Sequence, residues 1–364
     1  MKFTCEKDVL DQAFSLAGRA AATRSGSLQV LSGLHLELKK NNLLITGSDI
    51  DLTIQVAVDV GGKENGKTVL PAKLPADIMR ALPSGQVQVE LNDDGVTVSS
   101  GRSNFNLRTM SVDEFPQIEV AEGNKVTLNS AGVEQALGQV VNAASGDDSR
   151  PILTGVMLAA EDDGLRFVAT DSYRLAVRDL PGTSVISTAP TVLVPSRTLE
   201  ALEKLLSTSD ELTISLGERQ ATFYVNNVQI TTTLITGEFP NYRCLIPDNH
   251  PNNLVVDKEI FLNALKRVRL LAQENTPVRL SMTGESVELI AITQDVGQAT
   301  ETIDAEYTGE DLVVAFNPTY LLEGFEVSTG DEIRLETIDS LKPAVIRSID
   351  SDDFLYLLMP VRVS

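Results

Sequence analysis

Apolar and polar positions along the chain fall into three successive stretches that share one order of elements. Each opens with a short alternating run that predicts a strand, then a polar residue suited to a helix start, then apolar residues at helical spacing. In residues 2–20 (KFTCEKDVLDQAFSLAGRA), Val9, Leu10, Ala13, Phe14 and Ala17 share one helical face. In residues 125–144 (KVTLNSAGVEQALGQVVNAA), Val133, Leu137, Val140, Val141 and Ala144 do the same, and residues 253–272 (NLVVDKEIFLNALKRVRLLA) follow suit. An apolar strand pair comes next in each stretch. The predicted turns lie at Asn41-Asn42, Asp162-Asp163-Gly164 and Gly284-Glu285, residues that tolerate the positive φ of a tight hairpin.

Fixed markers keep the three stretches in register. Asp49, Asp171 and Asp295 close the three hairpins at spacings of 122 and 124. Second helices are predicted at 73–82, 196–208 and 317–327, with Pro71 and Pro195 ahead of the first two. The first two units end in Glu-Phe-Pro, at 114–116 and 238–240. The pattern predicts three tandem homologous α+β domains, over residues 1–122, 123–247 and 248–364, each with several strands and two helices.

Charge narrows the function. The chain carries 30 Lys+Arg against 51 Asp+Glu, a net charge of −21, which argues against a protein that holds nucleic acid by net attraction. The six predicted helices nevertheless hold eleven basic and eleven acidic residues, so the excess negative charge lies in strands and loops. Three of the cations, Lys266, Arg267 and Arg269, sit together at the end of one helix, where the helix dipole also favours them. Cys5 and Cys244 stand far apart and only His35 and His250 occur, so neither a disulfide framework nor a metal site is expected. No apolar run follows the first residues and none is long enough to span a membrane, so the chain is expected to be cytoplasmic.

One string carries candidate chemistry. Residues 61–68, GGKENGKT, match a phosphate-binding loop literally, and an ATPase using Lys67 is one reading of the chain. Such a loop needs a helix whose first amides hold the phosphates, whereas Val69 and Leu70 look like strand and Pro71 follows. A strand-to-strand loop fits better. No nucleophile elbow and no zinc-protease motif occurs, so no catalytic site is expected. Asp49 and Asp51 share one side of a strand, and as a metal pair they compete with plain solvation at a sheet edge. A β-rich adhesive repeat protein is a further alternative, but that class normally acts outside the cell.

Several strings, taken in order, resemble one family. Thr170-Asp171-Ser172-Tyr173-Arg174-Leu175-Ala176, Phe239-Pro240-Asn241-Tyr242-Arg243 and Leu357-Leu358-Met359-Pro360-Val361-Arg362 are similar to signatures of the bacterial DNA polymerase III β subunits, the sliding clamps. The opening Met-Lys-Phe-Thr and Thr46-Gly47-Ser48-Asp49 fit its first domain, so the resemblance spans the whole chain. It implies a head-to-tail homodimeric ring, with helices on the inner face, sheets on the rim and double-stranded DNA threaded through the hole. It implies no catalysis and no cofactor. The partners it implies are the replicative polymerase, the clamp loader, other polymerases and repair proteins, all docking through short peptide motifs.

The resemblance also assigns residues. The peptide pocket would comprise Leu153, Thr170, Tyr173, Arg174, Leu175, Pro240, Leu245, Leu341, Pro343, Leu358, Met359, Pro360, Val361 and Arg362. Arg174 and Arg362 would orient polar groups of the peptide. Tyr173 stands where some members have His, and Pro343 replaces a small polar residue of some members. Phe105 and Leu107 would meet Leu270 and Leu271 of a second subunit. Arg24, Lys73, Arg80, Arg197 and Lys266 would face DNA, while Asp147 and Asp148 put negative charge where some members contact it.

Overall fold

A computed structural model describes residues 1–22, 28–118, 125–161, 164–182, 191–247, 249–272 and 276–362. Among these residues six α-helices form: α1 (Lys7–Gly18), α2 (Lys73–Ala81), α3 (Ser130–Val140), α4 (Ser196–Leu206), α5 (Lys258–Val268) and α6 (Pro318–Val327). All six fall inside the windows predicted from periodicity. Leu10, Ala13, Phe14 and Ala17 are buried on α1, but Val9 is 44% exposed, at the margin of the apolar stripe. Asp257 caps α5 by accepting the Ile260 amide at 2.8 Å, and Asn317 caps α6 through the amides of Thr319 and Tyr320. The turn expected at Asn41-Asn42 is one residue earlier. Lys39 pairs with Asn42, which leaves Lys40 and Asn41 as the loop, with Lys40 at φ 55°.

The chain divides into two compact units, residues 1–131 with 200–234, and residues 132–199 with 235–364. The first holds a five-stranded sheet that ends at Ser103–Leu107 and an eight-stranded sheet. In the latter, Leu52–Asp59 pairs antiparallel with Val228–Thr233. The second holds a nine-stranded sheet, in which Arg174–Pro181 pairs antiparallel with Phe354–Leu358. It also holds a four-stranded sheet with Gly297–Asp304 at its edge. The units do not follow the sequence repeat because two of the sheets are continuous. Strands separated by more than a hundred residues hydrogen-bond to each other, and no composition shift marks where they join. In the second unit Phe261 of α5 stacks on Phe325 of α6 at 4.2 Å between ring centroids, which fixes that helix pair.

The phosphate-loop match is two strands. Gly61–Glu64 and Gly66–Pro71 are both paired, Lys67 lies opposite Glu37 with an ion pair of 3.2 Å, and the next helix begins only at Lys73. The amides that would hold phosphates are spent in the sheet, so the ATPase reading falls.

Candidate functional site

Four neighbouring strands of the nine-stranded sheet meet at one end. Thr170 pairs with Leu175, Arg174 with Leu358, and Leu358 with Ala344, which brings the ends of the four strands together. The turn between Thr170 and Arg174 is tightly specified. Asp171 Oδ1 accepts the amides of Tyr173 (2.8 Å) and Arg174 (3.0 Å), and Thr170 Oγ1 accepts the Ser172 amide at 3.2 Å. Ser172 sits at φ 82°, a conformation the side-chain hydrogen bonds around it hold. The Met359 amide donates to the Tyr173 carbonyl at 2.9 Å, which ties the chain's last described segment to this turn.

The apolar side chains expected here divide into two groups. Leu153, Leu175 and Leu358 are buried, and Leu175 belongs to a core cluster with Val345, Leu355, Leu357 and Tyr242. By contrast Tyr173 (60%), Leu341 (59%), Leu245 (48%), Met359 (41%) and Val361 (37%) are exposed large hydrophobics. Pro240 and Arg362 are exposed, Pro343 and Pro360 half-buried, and Thr170 is buried with its hydroxyl donating to the Arg174 carbonyl at 2.7 Å. Exposed apolar side chains at the joined Tyr173 and Met359 positions, on strands whose Leu175 and Leu358 are buried, suit an extended peptide with apolar side chains.

Arg174 is a correction. It does not reach toward a peptide. Its guanidinium is buried and gives hydrogen bonds to Asp171 (3.0 Å), Glu323, Tyr356 Oη (3.2 Å) and the Asn142 carbonyl, and it lies 4.3 Å from the Tyr320 ring centroid. Burial opposes its charge, but Tyr356 and Glu323 more than offset this, and the group stays protonated. The same burial pushes the Tyr356 hydroxyl well above its usual range. Arg174 therefore positions the turn. Asp171, three residues before it in the Thr-Asp-x-x-Arg string, was a sequence signal for this pairing, whereas Glu323, Tyr320 and Tyr356 had none. Arg174→Ala leaves two carboxylates without their partner. It is expected to cost about 3–5 kcal/mol of stability, read by denaturant unfolding, and Tyr173→Ala by contrast costs little.

The remaining assignments lie elsewhere. Phe105 is half-buried on the edge strand of the five-stranded sheet, but Leu107 is buried in its own unit at 5% exposure, paired opposite Val96. Leu107 is thus core and corrects the expectation that it faces a second subunit. Leu270 is 82% exposed and Leu271 half-buried, beside Ile292 (50%) and Val296 (51%). Lys73 and Arg197 are exposed, Arg80 pairs with Asp77 at 3.4 Å, and Lys266 pairs with Glu326 at 2.8 Å. Arg24 lies outside the described residues. Asp147 accepts from Ser149 and pairs with Arg150 at 2.9 Å, and these bonds hold its carboxyl below the usual range, so it is firmly negative. Among the described residues no His, Cys, Asp and Glu gather as a metal site, and no helix is long and apolar enough to cross a membrane.

Comparison with known proteins gives one answer. The sequence matches the N-terminal, central and C-terminal domains of the DNA polymerase III beta subunit over residues 1–119, 127–241 and 243–362. It is 35% identical to the beta sliding clamp of Streptomyces coelicolor, with all of both chains covered. Among solved structures it is similar to the Bacillus subtilis DNA polymerase sliding clamp (30% identity, TM-score 0.93) and to the Bartonella birtlesii clamp bound to griselimycin (28%, TM-score 0.94). Both chains are fully covered in each case. Three clamp-fold domains, a turn built around a buried Asp–Arg pair and an apolar sheet end have the same explanation: the chain belongs to the DNA polymerase III β subunits, the sliding clamps, and is a non-catalytic processivity subunit of the bacterial replicative polymerase.

Proposed function

We propose that two copies close head to tail into a ring around duplex DNA, and that the Tyr173–Met359 surface of each takes a short apolar peptide from the polymerase and other partners. The observation that carries this reading is a rule followed twice within the chain. The strand after the Asp49 turn pairs with the last strand before the second Glu-Phe-Pro, and the strand after the Asp171 turn pairs with Phe354–Leu358. The strand after the Asp295 turn, Gly297–Asp304, and the strand Ser103–Leu107 are the two of this kind left as sheet edges. A second subunit supplies the missing partner to each, and open edges are otherwise a liability.

The domains would be bounded near residues 122 and 247, in step with the matched ranges 1–119, 127–241 and 243–362. The helices would line the hole, with Lys73, Arg80, Arg197 and Lys266 toward DNA. Arg80 and Lys266 are already paired with carboxylates, which suits sliding better than gripping. The griselimycin-bound Bartonella birtlesii relative supports a ligand site on this fold. The deciding experiment loads the protein onto nicked circular duplex DNA and then linearises the circle. The protein is expected to remain on the circle and leave the linear product, with little dependence on salt. Retention on the linear DNA, or release from the circle that tracks salt steeply, would reject encirclement.

A further inference from the structure

The turn that carries Tyr173 has a twin in the first unit. Asp49 Oδ1 accepts the Leu52 amide at 2.8 Å as Asp171 Oδ1 accepts that of Arg174. Ser48 Oγ accepts the Ile50 amide at 3.1 Å as Thr170 Oγ1 accepts that of Ser172. Ile50 and Ser172 stand at φ 85° and 82°. The Thr233 amide donates to the Asp51 carbonyl at 2.9 Å, the bond that Met359 makes to Tyr173. Pro116 of the first Glu-Phe-Pro shares a cavity lining with Ile50 and Asp51, and Phe239 of the second packs on the core cluster that holds Leu175.

The side chains differ. Ile50 is β-branched in a left-handed conformation that such residues rarely adopt, and it is 58% exposed, so packing does not account for it. Next to it lies a cavity of about 170 Å³ whose lining includes Ile50, Asp51, Thr53, Gln117, Ile118 and Thr233. A larger one of about 580 Å³ shares Pro116, Gln117 and Ile118 with it and has Asp113 on its wall, with Lys67 already paired to Glu37. Among the described residues that line the smaller cavity, Asp51 is the charged one and no cation is present.

We propose that this turn is a second docking site, for an extended peptide that carries Lys or Arg beside a small aliphatic residue. Ile50 and Ile118 would take the aliphatic side chain, Asp51 the cation, and the Thr and Gln groups the peptide's own polar atoms. The proposal rests on reading the Tyr173 turn as a peptide pocket, because the likeness of the two turns is what points to a peptide. The twin then differs in chemistry, acidic and hydroxyl-lined where the first is apolar.

Methyl NMR on the full-length protein, labelled at Ile and Met, separates the two sites. The probes are a blocked pentapeptide Ala-Arg-Ile-Lys-Ala, its counterpart Ala-Glu-Ile-Glu-Ala, and a polymerase tail peptide. The basic peptide is expected to shift Ile50 and Ile118 saturably, and the acidic one not to. Asp51→Asn should weaken that binding roughly 5–10-fold, and Tyr173→Ala should leave it unchanged. Silence at Ile50 and Ile118, equal shifts from both pentapeptides, or loss of the shifts in Tyr173→Ala would overturn the proposal. The tail peptide is read at Met359, so failure there counts against the first pocket separately.

Discussion

Leu270→Asp is expected to turn the dimer into monomers. Leu270 is the most exposed large hydrophobic among the described residues at 82%, and Ile292 and Val296 extend an apolar surface beside the edge strand Gly297–Asp304. A group of exposed apolar side chains, unlike a lone one, marks an interaction surface. A carboxylate placed there loses the burial and adds an unpaired charge, on the order of 3 kcal/mol at each joint. A closed pair of subunits has two such joints, so the penalty counts twice and weakens association on the order of ten-thousand-fold. Sedimentation velocity at micromolar protein checks it, and an undisturbed dimer would reject the joint. Leu107→Ala is the contrasting variant. Because Leu107 is buried within its own unit, it should lower unfolding stability by about 2–5 kcal/mol and leave the joint itself intact.

Tyr173→Ala combined with Met359→Ala is expected to weaken a polymerase tail peptide at least about 100-fold while the dimer and its unfolding midpoint persist. Both side chains are exposed, at 60% and 41%, so truncation leaves no cavity in the core. Their backbones are joined by the Met359 amide and Tyr173 carbonyl, a bond that alanine keeps. Each side chain contributes the burial of a large apolar group only when the peptide covers it. Isothermal titration with the tail peptide, read beside thermal unfolding, separates lost contact from lost fold. Unchanged affinity would remove this surface from the site.

The repeat, the six helices and the family were legible in the chain because each depends on local spacing: apolar residues at helical period, Asp at turn ends, Glu-Phe-Pro at fixed distance. The strand character of the phosphate-loop string was legible too, since Pro71 and the β-like Val69 and Leu70 deny the helix such a loop needs. What local spacing could not convey was which way a side chain faces once distant strands join. Phe105 and Leu107 alternate as expected and pair opposite the buried Val98 and Val96, yet only the packing of the folded unit leaves Phe105 half-buried and Leu107 inside. The resemblance assigned Arg174 to the peptide, whereas it is buried in a network that includes Glu323, 149 residues further on.

Order of elements and kinship, then, were written in the residues themselves, since backbone periodicities and turn chemistry act over a few positions. The joining of Leu52–Asp59 to Val228–Thr233, and of Arg174–Pro181 to Phe354–Leu358, was settled only in three dimensions. Strand pairing satisfies backbone groups without regard to side-chain identity, so a sheet crossing from one repeat to the next leaves almost no mark on composition, yet it determines which apolar residues remain uncovered for a partner.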